Sequence, residues 1–242
     1  MKKKNGLLSI GAAAKYLGVS VMTLRRWDAS GKLRAIKSPA GHRYYESETL
    51  GQLREDILSL ARIWASSAVV PEISESYYSD TQDRFRARLE HMALLITQEP
   101  TMTGVASLVT AVAGEIGNNS FDHNLGNWPD TPGIFFAYDI NKRIIVLADR
   151  GVGIKTTLLR VRPSIKNDIE ALRIALTERI SGRAPEQRGN GLKFVASVAA
   201  DNQIGISLQS GTAVAIIGKD EARLKITLAD RNIPGVLARI EY

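Results

Sequence analysis

Three short stretches constrain this chain more than any other feature: EIGNNSFDH at 115–123, DRGVGI at 149–154 and RGNGL at 188–192. In the first, Glu115, Asn119 and Asp122 stand at i, i+4 and i+7. On a helix they fall within about 60° of one another, so a carboxylate and a carboxamide share one face. Leu108, Val112 and Ile116 would seat that helix on a sheet. In the second, Asp149 closes the apolar run RIIVLAD, and Arg150-Gly151-Val152-Gly153 turns the chain sharply. In the third, Gly189-Asn190-Gly191 opens a helix, where bare backbone N–H groups and the helix dipole favour phosphate oxygens. The three stretches read as one pocket assembled from distant segments. Gly117 lies inside the first helix at about 1 kcal/mol relative to Ala, which implies close approach by another group, such as a ligand.

Around these motifs the periodicity predicts further elements. Phe85, Leu89, Met92 and Ile96 recur at helical spacing over 81–97, and a second helix covers 103–124. Strands at 133–139 and 143–149 are joined by a turn at 140–142, and further strands are expected at 204–208, 212–218 and 222–229. The stretch 154–188 reads as a lid.

The net charge of +7 is unevenly placed. Residues 1–70 hold 12 Lys and Arg against 5 Asp and Glu, out of 32 against 25 in the whole chain, so the entire excess lies at the front. A basic end on a neutral body suggests a nucleic-acid module joined to something else. There are no cysteines, which removes disulfides, thiolate metal sites and Cys nucleophiles and fits the cytoplasm. The 44% apolar content supports a packed core, and no run nears the roughly 18 apolar residues of a membrane helix. The opening MKKKNGLLSIGAAAKYLG has the outline of a signal peptide, but it fits a DNA-binding helix better.

Ile10, Ala13, Ala14 and Leu17 have helical spacing, Gly18 ends that helix, and Ser20 is placed to cap a second one over Val21–Ala29 that Gly31 closes. Leu24 and Trp27 face inward. Two short helices joined by a tight turn make a helix-turn-helix. Residues 32–37 and 42–45 then read as a basic hairpin around a turn at 38–41. The pattern is similar to the MerR-type winged helix, matching at Gly18, Val19, Ser20, Thr23, Leu24, Arg25, Trp27, Gly41, His42, Arg43 and Tyr45 among others. The resemblance implies that the second helix enters the major groove of double-stranded DNA while the wing grips the backbone. Ser20, Thr23, Arg25, Arg26, Lys37, His42, Arg43 and Tyr44 are the expected DNA contacts, and Trp27 is expected in the core. Leu50, Leu53, Ile57, Leu60 and Trp64 follow at 3-4-3-4 spacing. That stripe admits two uses, a homodimer seam through residues 46–66 or packing on the second domain.

The three central motifs, with Gly211-Thr212 near the end, resemble those of the GHKL ATPases: gyrase, the heat-shock-ninety chaperones, histidine kinases and mismatch-repair MutL. The resemblance covers about residues 81–230 and implies a nucleotide site for ATP with Mg²⁺. Asn119 would hold the metal and Asp149 the adenine. Gly151, Gly153, Arg188, Gly189, Gly191 and Leu192 would surround the phosphates beneath the lid, with Asp122 nearby. Arg183 also flanks the third motif. Thr212 would support Asp149, and Glu115 would be the general base of a weak ATPase. The expected fold is α+β: a winged helix-turn-helix with a trailing helix over 1–65, a linker over 66–80, and over 81–242 a two-layer α/β sandwich with a mixed, mostly antiparallel sheet. The expected function is a DNA-binding regulator switched by ATP. The alternatives are an anti-sigma-like serine/threonine kinase acting on a partner protein and a scaffold that holds ATP without cleaving it.

Overall fold

A computed structural model describes residues 6–17, 20–31, 33–54, 57–99, 102–180, 191–218 and 223–242. Gly18, Val19, Lys32, Arg183, Arg188, Gly189 and Asn190 lie outside these residues, as does the side chain of Leu53. The architecture is α+β with antiparallel sheets.

The front module runs β1 (Leu7–Ser9), α1 (Ile10–Leu17), α2 (Val21–Ala29), β2 (Ile36–Lys37) and β3 (Arg43–Glu46). Its three strands pair antiparallel in the order β1-β3-β2. The Ser20 side chain accepts the Thr23 amide at 3.0 Å and caps α2 as expected. At the other end Gly31 takes a positive φ of 75° and turns the chain out of the helix. Ala13, Ala14, Leu17, Leu24, Trp27 and Tyr45 form the buried centre. The Tyr45 hydroxyl donates to the Leu24 carbonyl at 3.2 Å, tying wing to helix.

Two helices follow, α3 (Ser47–Arg54) and α4 (Ile57–Ser66). Ile57, Leu60, Ala61, Trp64 and Ala65 of α4 are buried. They join the front module's core to one face of a five-stranded sheet. That sheet comprises β4 (Tyr78–Ser79), β5 (Ile134–Asp139), β6 (Ile144–Asp149), β7 (Gly205–Ile217) and β8 (Lys225–Glu241), in the order β4-β5-β6-β8-β7. Every neighbouring pair is antiparallel.

The period of two along β5 and β6 explains the layering. Ile134, Phe136, Ile145 and Leu147 pack toward α5 (Gln82–Thr97), α6 (Thr103–Asn124) and α9 (Gly191–Asp201). Phe135, Ala137, Val146 and Ala148 face α4 and the front module. The sheet is therefore covered on both sides. The expected two-layer sandwich gains a third layer, because strands apolar on both faces must bury both. Of the two uses the stripe admits, packing on the second domain is the one seen for Leu60 and Trp64, which are only 3% and 1% exposed.

The stretch 66–80 is built into the fold. Tyr78 and Ser79 form the edge strand on β5, and Tyr77 stacks on Phe135 with ring centroids 5.5 Å apart. Arg88, from α5, donates to Ser79 Oγ at 3.0 Å and to the Phe136 carbonyl at 2.7 Å. Two further differences concern the last third of the chain. The strands expected at 204–208 and 212–218 are one strand, β7, with register shifts around Gly211. And β8 continues to Glu241, well past the expected end at 229, through a stretch that holds Pro234 and Gly235. The described part of the lid stretch, up to residue 180, contains two helices, α7 (Gly153–Leu159) and α8 (Asp168–Thr177), packed around Leu158, Ile165, Ala171 and Ile174.

Gly117 has a packing explanation and not a ligand one. A Cβ there would collide with the ring of Phe85, so the missing side chain lets α5 and α6 approach. Gly104, on the same helix, has open space around it. Gly117→Ala should therefore destabilise by about 1–3 kcal/mol through overpacking, while Gly104→Ala should stabilise by up to about 1 kcal/mol through chain entropy. Urea unfolding midpoints of the two variants check the opposite signs.

Candidate functional site

Asp149 ends β6 on the side facing α6. It is 1% exposed. Its Oδ2 accepts the Ser120 hydroxyl at 2.7 Å, and its Oδ1 accepts the Gly151 amide at 2.8 Å and the Val236 amide at 3.3 Å. Burial pushes the carboxyl above its ordinary value of 3.8, against the hydrogen bonds from Ser120, Gly151 and Val236, which pull it down. A Cβ on Gly235 would collide with Asp149 Oδ1, and one on Gly151 would collide with the side-chain amide of Asn124. Asn124 locks the turn: its Nδ2 donates to the Ser120 carbonyl at 2.7 Å and its Oδ1 accepts the Val152 amide at 2.9 Å. Gly153 takes a φ of 79° against the Pro234 carbonyl, a geometry that a side chain would strain.

One turn earlier on α6, Asn119 Nδ2 donates to Glu115 Oε1 at 3.3 Å. Glu115 lies directly against Gly191, the first residue of α9, where a Cβ would clash with its carboxylate. The structure thus sets Glu115 and Asn119 against Gly191, and, further along the same helix, Ser120 and Asn124 against Asp149 and Gly151. Asp122 is half-buried on the same helix, and Leu192 packs against the main core. Arg188 and Gly189 lie outside the described residues.

Thr212 departs from the expectation. Its hydroxyl and its amide donate to Asp168 Oδ2 at 2.8 Å and 2.9 Å, not to Asp149. Asp168 is the first residue of α8, and the register shifts around Gly211 turn Thr212 toward that helix. The partner that Asp149 has in this region is the Val236 amide of β8. Asn124, Asp168 and Gly235 were missed as site residues, and Ser120, part of the first motif, was given no role. A glycine within an apolar run such as 233–240 signals close backbone approach and pointed to Gly235.

In the front module Arg25 and Arg26 are exposed on α2 beside Met22, which is 57% exposed. His42 and Lys37 are exposed on the wing, and Tyr44 is half-buried in β3. Arg43 Nε bonds Asp28 Oδ2 at 2.7 Å, and Asp28 Oδ1 accepts the Ala35 amide at 3.0 Å, so one carboxylate fastens the wing to α2. The Ala35 amide and then Arg43 hold Asp28 below the usual carboxylate value. Thr23 is corrected. It is 3% exposed, and its hydroxyl is within 3.0 Å of Ser20 Oγ and donates to the Glu72 carbonyl at 3.3 Å, so it faces the chain's own connector rather than a groove. Ser20 is engaged as the helix cap.

Residues 9–45 match the MerR family regulatory protein. The match supports a DNA-binding transcription regulator with its helix-turn-helix at the front. Comparison with curated proteins finds no match. Among the described residues no helix is long and apolar enough to cross a membrane.

Asp149 sets a pH dependence with a definite sign. A carboxyl raised in the folded state stabilises the fold below the unfolded value near 3.8 and loses that contribution as pH rises through the shifted value. Asp149→Asn keeps the shape and an acceptor for the backbone amides without the buried charge. The melting temperature of Asp149→Asn minus that of the wild type should therefore grow from about pH 4 to pH 7; a difference that stays flat over this range contradicts the assignment.

Proposed function

We propose that the larger domain binds a purine nucleoside triphosphate with Mg²⁺ in the manner of the GHKL ATPases, and that the protein is a DNA-binding regulator whose nucleotide state alters its grip on DNA. The placement of Glu115 and Asn119 against the start of α9, with Asp149 and its glycine turn against the same helix α6, supports this reading. The residues fit the ligand. Asp149 is a buried acceptor with lone pairs to spare for an exocyclic amine, and the glycines at 151, 153 and 191 let the backbone run directly against Asn124, Pro234 and Glu115. The start of α9 is a helix N-terminus, whose first backbone N–H groups have no partner within the helix and suit phosphate oxygens. Asn119 supplies the hard oxygen donor that Mg²⁺ takes beside phosphate and water.

In this reading Mg²⁺, held by Asn119, would supply neutralisation of charge on the phosphates. Asp149 orients the base, and the α9 entry orients the phosphates. Glu115 Oε1 holds a water near the terminal phosphate and takes its proton. The Asn119–Glu115 hydrogen bond keeps that carboxylate aimed at Gly191. Arg25 and Arg26 enter the major groove from α2, and the wing, held by the Arg43–Asp28 pair, lies along the backbone.

The test is a nucleotide titration in Mg²⁺ by calorimetry. Asn119→Ala should abolish tight binding. Glu115→Ala should bind and lose turnover by about 10²–10⁴-fold. Release of labelled phosphate separates hydrolysis from transfer to a partner protein and from storage of uncleaved ATP; no binding by the wild type removes the reading altogether.

The DNA half is tested separately. Arg25→Ala and Arg26→Ala should each weaken binding and reduce the slope of log affinity against log salt by about 1. Anisotropy titrations at several salt concentrations give that slope.

A further inference from the structure

Arg150 belongs to the DRGVGI stretch, yet nothing in the nucleotide reading uses it. It follows Asp149 directly, and strand alternation sends the two side chains to opposite faces of the sheet. Asp149 faces α6. Arg150 is 7% exposed on the face of α4. Its Nε donates to Asp130 Oδ2 at 2.8 Å, its Nη2 to the Ser67 carbonyl at 2.8 Å, and its Nη1 to the Trp64 carbonyl. The guanidinium lies over the Trp64 ring, 5.9 Å from its centroid. A cation is thus inserted at the C-terminal end of α4, where free carbonyls and the helix dipole both attract it. Partial burial would raise Asp130, but the bonds from Arg150 and the Thr131 amide hold it below the ordinary value.

The chain beyond that helix end is fastened as well. Five residues after Ser67, the Glu72 carbonyl accepts the hydroxyl of Thr23. Thr23 is on α2, bonded to the Ser20 cap and within a turn of Arg25 and Arg26. At the other end, the Gly151 amide that follows Arg150 donates to the Asp149 carboxylate itself. The segment 64–72 is therefore tied to the nucleotide motif by Arg150 and to the recognition helix by Thr23.

We propose that Arg150 is a positioning residue that couples the nucleotide pocket to the DNA-binding helix through residues 64–72. The inference rests on the functional reading above. A ligand amine bound by Asp149 draws on the same carboxylate that anchors the Gly151 amide. The peptide carrying Arg150 then moves, and the guanidinium carries that movement to the end of α4. Lysine at this position keeps the charge but cannot make the forked contacts to Trp64, Ser67 and Asp130 together.

The experiment uses the full chain. DNA affinity is measured by anisotropy with and without Mg-ATP, and Mg-ATP affinity by calorimetry with and without DNA. In the wild type Mg-ATP should change DNA affinity at least about fivefold, and DNA should change ATP affinity by the same factor. Arg150→Lys should bind each ligand alone within about threefold of the wild type, while that ratio falls to about one. Hydrogen exchange on the wild type gives a second readout: Mg-ATP should alter the amides of residues 64–72 and the start of α2. A wild-type ratio of one, an Arg150→Lys ratio equal to the wild type's, or exchange at 64–72 blind to Mg-ATP each overturns the coupling. Failure of the wild type to bind Mg-ATP or DNA at all is a different result and overturns the functional reading beneath it.

Discussion

A carboxylate removed almost entirely from water persists only where its oxygens meet donors, and the larger domain is arranged around that requirement at Asp149. Ser120 supplies a hydroxyl from α6, Gly151 an amide from the following turn, and Val236 an amide from β8. Three elements distant in sequence must dock together for one side chain. Each docking brings its own condition. The turn must bend tightly enough to reach back, and Asn124 holds it there. The third strand must come close, and Gly235 permits it. Burying an acid that burial alone would neutralise is a burden that a purely structural core would avoid, and such burdens gather where chemistry is done.

The same strand explains how two modules become one body. Because β6 is apolar on both faces, the layer of α5, α6 and α9 satisfies only half of it. The remaining half takes α4, with Trp64 against Phe135 at 6.3 Å and the Tyr77 ring stacked beside them. Arg150 then closes the end of α4. Hydrophobic burial positions the helix, and a buried cation fixes how far it extends.

Much of this was legible in the residues. The helices over Gln82–Thr97 and Thr103–Asn124, the pair β5 and β6, the Ser20 cap and the pairing of Glu115 with Asn119 on one helix face all followed from spacing, because each is governed by local periodicity or a compact motif. The third layer was less plain. The runs IFFA and IIVLA, apolar without alternation, already imply strands buried twice, but they do not say which segment covers the far side. The end of β8 was obscured because Asp230, Asn232, Pro234 and Gly235 look like a turn, whereas the structure uses Pro234 and Gly235 at the point where Asp149 and Gly153 press against that strand. Thr23 and Thr212 were misjudged for a shared reason. A hydroxyl bonds whatever acceptor tertiary packing presents, here Glu72 and Asp168, and sequence carries no record of that acceptor.

The packing of α4 has a consequence for how such a chain can be varied. A front module that merely hung from a tether would be exchangeable for another with different target preference. Here its last helix supplies the lining for the far side of the neighbouring sheet, so a replacement has to bring a matching row of apolar side chains and the right backbone end for Arg150. The two halves are therefore bound to drift in concert, and a hybrid that joins them from separate ancestors inherits a mismatch at this seam before it meets any question of recognition.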